Sequence, residues 1–160
     1  MSTEGEFQWF QQSTRVIRCE DSLGLMAYRE PFQPPVAGAV FDSFSVDSCN
    51  VHLAVLDPWV LRHGFLTLIA DYAYDYLNRA RMFGLVPENN QKALKLNTHI
   101  GFKRVAHIPD AVDTGVGYVV MRLDREDCRW RSQAIARRPD NAKCVAVRGL
   151  RCECLPVEPQ

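Results

Sequence analysis

Apolar positions along this chain recur with two different periods, and the switches between them mark out its elements. Val36 to Phe44, VAGAVFDSF, sets β-branched and aromatic residues among small ones and reads as a strand. Ser45 to Ser48 is a turn signal. Asn50 to Leu56 is the next strand, spaced as an antiparallel neighbour of the first. Asn50, His52, Ala54 and Leu56 share one of its faces; Val51, Leu53 and Val55 share the other. Both faces are largely apolar, which marks a central strand covered on both sides. Asp57-Pro58 then opens a helix, with the acid as cap and the proline in the first turn. From Trp59 to Leu77 the set Leu61, Phe65, Leu68, Ile69, Tyr72 and Tyr76 steps by threes and fours. Arg81 to Val86 is a strand ended by Pro87 and Asn89. Asn90 caps a second helix running to about Ile100, with Ala93, Leu94 and Leu96 inward and Gly101 just past its end. Phe102 to Ile108 is a strand, Pro109 to Gly117 a loop, and Tyr118 to Leu123 the last regular strand of this pattern.

The flanks are less regular. Met1 to Ser13 is polar, with Phe7, Trp9 and Phe10 as anchors against the core. Thr14 to Cys19 alternates loosely as a first strand. Leu23, Leu25 and Met26 mark a helical turn or a strand before Pro31, Pro34 and Pro35 break the pattern. Beyond Arg131 the periodicity fades among prolines and arginines, leaving an extended tail with one short strand at Cys144 to Val147. The expected organisation is an N-terminal segment (1–13), one domain (14–130) and a C-terminal extension (131–160). The fold class is α/β (α+β): a mixed, mostly antiparallel sheet flanked by helices.

Composition narrows the function classes. A chain of 160 residues suits one domain with a proper core. Its 19 basic and 19 acidic residues cancel, which argues against a broad nucleic-acid or membrane footprint. No apolar run approaches the ~20 residues that span a bilayer, and MSTEGEFQWF has neither the basic nor the apolar part of a secretory signal. Six cysteines in that setting read as reduced thiols in a cytoplasm. Cys152 and Cys154 form a C-x-C, but no C-x-x-C pair and no nearby histidine accompany Cys128 and Cys144, so no metal site is expected.

Strand, helix, strand, helix from Cys49 to Phe102 is where chemistry belongs, because ligands sit at the carboxyl ends of such strands beside a helix N-terminus. His52 lies on the first of those strands and is either a hydrogen-bonded core histidine or a base. The stretch GLVPENNQKALKLNTHIGFKRVAHI, with Asn90, Ala93, Leu96, Gly101 and Phe102, resembles the GNAT superfamily of acyl-CoA-dependent N-acetyltransferases. HLAVLDP and its helix resemble that family's cofactor-binding strand and helix. VVMRLDREDCRW resembles the close of GNAT-like proteins of tailed phages and some proteobacteria.

The resemblance implies transfer of an acetyl group from acetyl-CoA to an amine, on a small molecule or a protein. It implies that the N–H groups of Ala54, Val55 and Leu56 contact the pantetheine and the oxyanion, that Arg62, His63 and Gly64 meet the phosphates, and that Asn90 touches the cofactor. His52 is the candidate base, with Glu88 and His99 as secondary ones. Two positions depart from the family's pattern. With Gly64 as its first glycine, the phosphate loop carries Leu61 where a basic or amide residue is usual and Leu66 where a second small residue is, and both Phe65 and Leu66 are bulky beside the pyrophosphate. Asn97 stands where many members have a tyrosine that protonates the leaving thiolate, and an amide cannot do this. Those departures keep a second reading open: a non-catalytic module of a phage virion, its tail docked on phage structural proteins or on another copy of the chain.

Overall fold

The structure is a computed structural model that describes residues 4–30, 33–132 and 151–154. Its elements in chain order are α1 (Glu4–Thr14), β1 (Leu23–Tyr28), β2 (Ala37–Asp42), β3 (Ser48–Val55), α2 (Trp59–Arg62), α3 (Phe65–Asp71), a π-helical turn (Tyr72–Tyr76), β4 (Arg81–Pro87), α4 (Gln91–Ile100), β5 (Lys103–Asp113), β6 (Val116–Asp124) and β7 (Arg151–Cys154). The strands form one sheet in the order β5-β6-β4-β3-β2-β1-β7. Every adjacent pair is antiparallel except β3–β4. This is the mixed, largely antiparallel α/β sheet expected from the pattern.

Each face of the sheet has its own core. Under α3 and α4, Phe65, Ile69, Leu94 and Ile100 pack on Leu25, Phe41, Val51, Met82, Met121 and Leu123. Under α1, Phe7 and Phe10 pack on Met26, Val40 and Ala54. Phe10 comes so close that a Cβ on Gly38 would stand 2.9 Å from its ring and 2.8 Å from the Met26 sulfur. The bare backbone of Gly38 is what lets α1 lie flat on the sheet. Tyr74, fully buried, donates its hydroxyl to Leu123 O at 2.8 Å and so ties the π-helical turn to β6.

Four local expectations need correction. Thr14 to Cys19 is not a strand: the N-terminal segment is helical to Thr14, Arg15 N–H donates back to Gln11 O, and Arg15 then takes a positive φ of 62°. The helix after β3 is not continuous. It stops after Arg62, passes through Gly64 at φ 91°, restarts as α3 and widens into the π-helical turn. Pro109 to Asp113 is not loop but the far half of β5, because proline is tolerated on an edge strand. The C-terminal strand lies at Arg151–Cys154, antiparallel to β1, whereas the expected one at Cys144 to Val147 falls outside the described residues.

Candidate functional site

The parallel pair β3–β4 is joined over three residues, Ser48–Arg81, Cys49–Met82 and Asn50–Phe83. Both strands continue beyond it and keep their outer partners: β3 pairs with β2 as far as Val55, and β4 with β6 as far as Pro87. The sheet therefore opens into a V whose vertex lies at Asn50 and Phe83 and whose mouth is at the carboxyl ends of both strands. Strand polar groups alternate sides. Leu56 N–H donates to Val36 O at 3.0 Å, so Leu56, Ala54 and His52 turn their backbone groups toward β2. Those of Leu53 and Val55 on β3, and of Leu85 on β4, face the gap. Of the three expected backbone contacts, only Val55 is on the open side. Ala54 faces β2 in the ladder, and Leu56 N–H is engaged by Val36 O.

His52 stands just beyond the vertex, on the α1 face. Its Nε2 is 2.9 Å from Asp42 Oδ2. Asp42 is the last residue of β2, opposite Asn50 in the register, and is 3% exposed. Burial pushes the Asp42 carboxyl up, but bonds from His52, Ser43 and Asn50, together with the charge on His52, outweigh it and hold the group below the ordinary carboxylate range. A carboxylate at this position was missed in the sequence. The signal was there: an antiparallel hairpin with Asp42 opposite Asn50 places Asp42 diagonal to His52.

Asn97 approaches from the other face. A Cβ on Gly84 would lie 4.0 Å from the Asn97 side-chain nitrogen, and Gly84 is the first residue of β4 past the paired stretch. The Asn97 amide thus lies over the vertex under α4, across the sheet from His52. Glu88 points elsewhere. Its Oε1 accepts the Gly117 N–H at 2.6 Å and its Oε2 pairs with His107 Nε2 at 2.9 Å, which commits it to β5 and β6, on the side of β4 away from the gap. The Gly117 N–H, and then His107, hold its carboxyl below the usual range.

At the mouth, Asp57 Oδ1 accepts the Trp59 N–H at 2.9 Å, and Arg29 Nε reaches Asp57 Oδ2 at 3.0 Å. His63 stacks on Trp59 at 3.7 Å between ring centroids, and its Nδ1 donates to Trp59 O at 2.7 Å. Arg62 is exposed beside them. The first internal bond of α3 runs from Leu68 N–H to Gly64 O. The amides of Phe65, Leu66 and Thr67 precede that ladder and are the free donors of the helix start. Phe65 and Leu66, the bulky residues of the expected phosphate loop, are both buried in the core, so their side chains turn away from those donors. Asn90 is the cap of α4, its side-chain oxygen accepting the Ala93 N–H at 3.1 Å.

Backbone donors thus line the opening between β3 and β4, a helix start with arginines nearby stands at its mouth, and polar side chains flank its vertex from both faces. Among the described residues there is no cluster of three or more metal-ligating side chains, and no helix is long and apolar enough to cross a membrane.

No protein-family model and no curated protein matches the chain. Solved structures do. A chimera of the spermidine N-acetyltransferase SpeG from Vibrio cholerae and hSSAT superposes with a TM-score of 0.57 at 12% identity, over 79% of each chain. Mutant forms of the spermidine/spermine N-acetyltransferase SpeG from Vibrio cholerae give 0.56 at 13% identity, again over 79% of each. A GNAT-family protein from Desulfovibrio desulfuricans gives 0.57 at 12% identity, over 66% of this chain and 70% of that one. Identities this low speak to architecture alone, and in architecture this chain has the GNAT acetyltransferase fold.

Proposed function

We propose that this protein is an N-acetyltransferase that takes its acyl group from acetyl-CoA and passes it to an amine. The observation that carries the reading is the V between β3 and β4, with gap-facing amides at Leu53, Val55 and Leu85 and a histidine–carboxylate pair at its vertex. When bound, acetyl-CoA supplies an acetyl group already activated as a thioester. The chain's own groups do the rest. The α3 start, with Arg62 and Arg29 close by, receives the phosphates. The gap-facing amides hold the amide-bearing arm and offer donors to the carbonyl oxygen as it gains charge. His52 takes the proton from the incoming amine on the α1 face. There the neighbouring β4 residue Leu85 is 37% exposed and leaves the approach open. Asn97, on the opposite face, positions the sulfur end by hydrogen bonding and gives up no proton.

The acceptor is an amine, of a small molecule or a protein. The SpeG neighbours, named for spermidine, support the small-molecule branch. The free thiols of Cys19, Cys49 and Cys128 agree with work in a reducing cytoplasm. The virion reading rests on the departures in the phosphate loop and at Asn97 and on the likeness of Val119 to Trp130 to phage proteins, and the described structure adds no observation in its favour.

Calorimetry and thermal unfolding with acetyl-CoA test the proposal. Binding at a hundred times Kd raises stability by about 2.7 kcal/mol, visible as a higher Tm, and thiol release should follow when spermidine or a lysine peptide is added. Neither heat nor Tm shift at millimolar acetyl-CoA would sink it.

A further inference from the structure

We infer that Asp42 is the positioning residue of the proposed base, fixing His52 with its proton on Nε2 and leaving Nδ1 to take the acceptor's proton. Asp42 and Ser22 are the buried polar or charged residues among those described. The face on which Asp42 sits has its own apolar core, Phe7, Phe10, Met26, Val40 and Ala54. A buried acid costs solvation that an apolar residue would not. What offsets it there is His52, at 2.9 Å, with Ser43 and Asn50 as further partners.

An ionised carboxylate can only accept. The proton between the two therefore belongs to Nε2, and the neutral ring keeps its lone pair on Nδ1. In the reaction, one N–H bond of the acceptor breaks and its proton moves to Nδ1. The electron pair of that bond stays on the amine nitrogen as the nucleophile, and the imidazolium formed is countered by Asp42. The proton later returns to solvent. Among the described residues Asp42 is the one carboxylate paired with His52. Asn50, the neutral neighbour opposite Asp42, is bonded to the acid and holds it in place.

The catalytic half of this inference rests on the acetyl-transfer reading; the tautomer does not. Long-range nitrogen–proton NMR on the full chain, with the His52 signals assigned by their loss in His52→Gln, should show neutral His52 protonated at Nε2 and bare at Nδ1. In steady-state kinetics Asp42→Asn and His52→Gln should each lower kcat by roughly 100-fold. The acetyl-CoA KM should hold, and the double variant should be no slower than either single one, as for residues acting as one unit. A proton on Nδ1, or full kcat in a folded Asp42→Asn protein, overturns the inference. A chain that shows the expected tautomer but binds no acetyl-CoA overturns the acetyl-transfer reading and leaves the Asp42–His52 geometry standing.

Discussion

The His107 ring occupies the space in which a side chain at Gly117 would have to stand. A Cβ there would meet His107 Nε2 at 2.5 Å and Ile108 O at 2.6 Å. The second of these is backbone and cannot swing aside, so the strain is shared by β5 and β6. Gly117→Ala should destabilise the fold by about 1–3 kcal/mol, as overpacking does, and should loosen Glu88 from the Gly117 N–H. Urea unfolding measures the loss. An unchanged midpoint would mean that the edge of the sheet relaxes freely.

The gap makes a residue-by-residue prediction. Amide exchange at Leu53, Val55 and Leu85 should be fast in the free protein and slow once acetyl-CoA is added. Ala54 and Leu56, whose N–H groups already face β2, should be protected in both states. Protection appearing at Ala54 and Leu56 instead would place the ligand outside the V.

Tyr74 should matter to stability and not to activity. Tyr74→Phe removes the hydroxyl that donates to Leu123 O in the interior. Leu123 O keeps its ladder partner Met82, so the cost is that of one hydrogen bond, about 0.5–1.5 kcal/mol. Tm should fall while the acetyl-CoA KM of the remaining folded protein is unchanged.

Asp42 fixes a pH dependence. Its folded value lies below the unfolded value of about 3.9. Between the two the unfolded chain binds more protons, so stability rises with pH in that window. The contribution is fully present above about pH 4 and is lost as pH falls through the folded value. Wild type and Asp42→Asn should therefore differ in stability at neutral pH and converge in acid. Denaturant titrations at several pH values would show this, and a gap that stays constant down to pH 2 would refute it.

Much of this was legible in the sequence because it is local. The Val36 to Leu56 hairpin shows in its apolar runs. α4 shows in Asn90 and Gly101, and the structure finds both at its caps, with Gly101 at φ 118°. What the sequence hid depends on context. The spacing of Phe7 and Phe10 is helical, but polar surroundings and short length masked α1. The apolar stripe from Leu61 to Tyr76 runs through Gly64 uninterrupted, so the helix break at that left-handed residue leaves no trace in the periodicity. The far half of β5 follows a proline, which only the edge position makes acceptable. Asp42 emerged as part of the candidate site only when the hairpin register brought it to His52. Direction mattered too: Ala54, Val55 and Leu56 were equivalent in sequence, and the ladder turns only one of them to the gap.

Three residue pairs at Ser48 to Asn50 are all the ladder that joins the β1–β3 leaf of the sheet to the β4–β6 leaf. Beside it, at the closed end, the Ala80 and Arg81 N–H groups donate to Asp47 O at 2.7 and 3.0 Å and Arg79 reaches the carbonyls of Ser45 and Val46. Toward the open end the leaves are held by side-chain packing, with Val51, Leu66, Met82 and Phe102 beneath the helices. The width of the opening is thus an outcome of core volume and not of the residues that line it. A methylene gained or lost in that packing would retune ligand fit from a distance, so selection on activity would be felt at apolar positions that never touch the ligand.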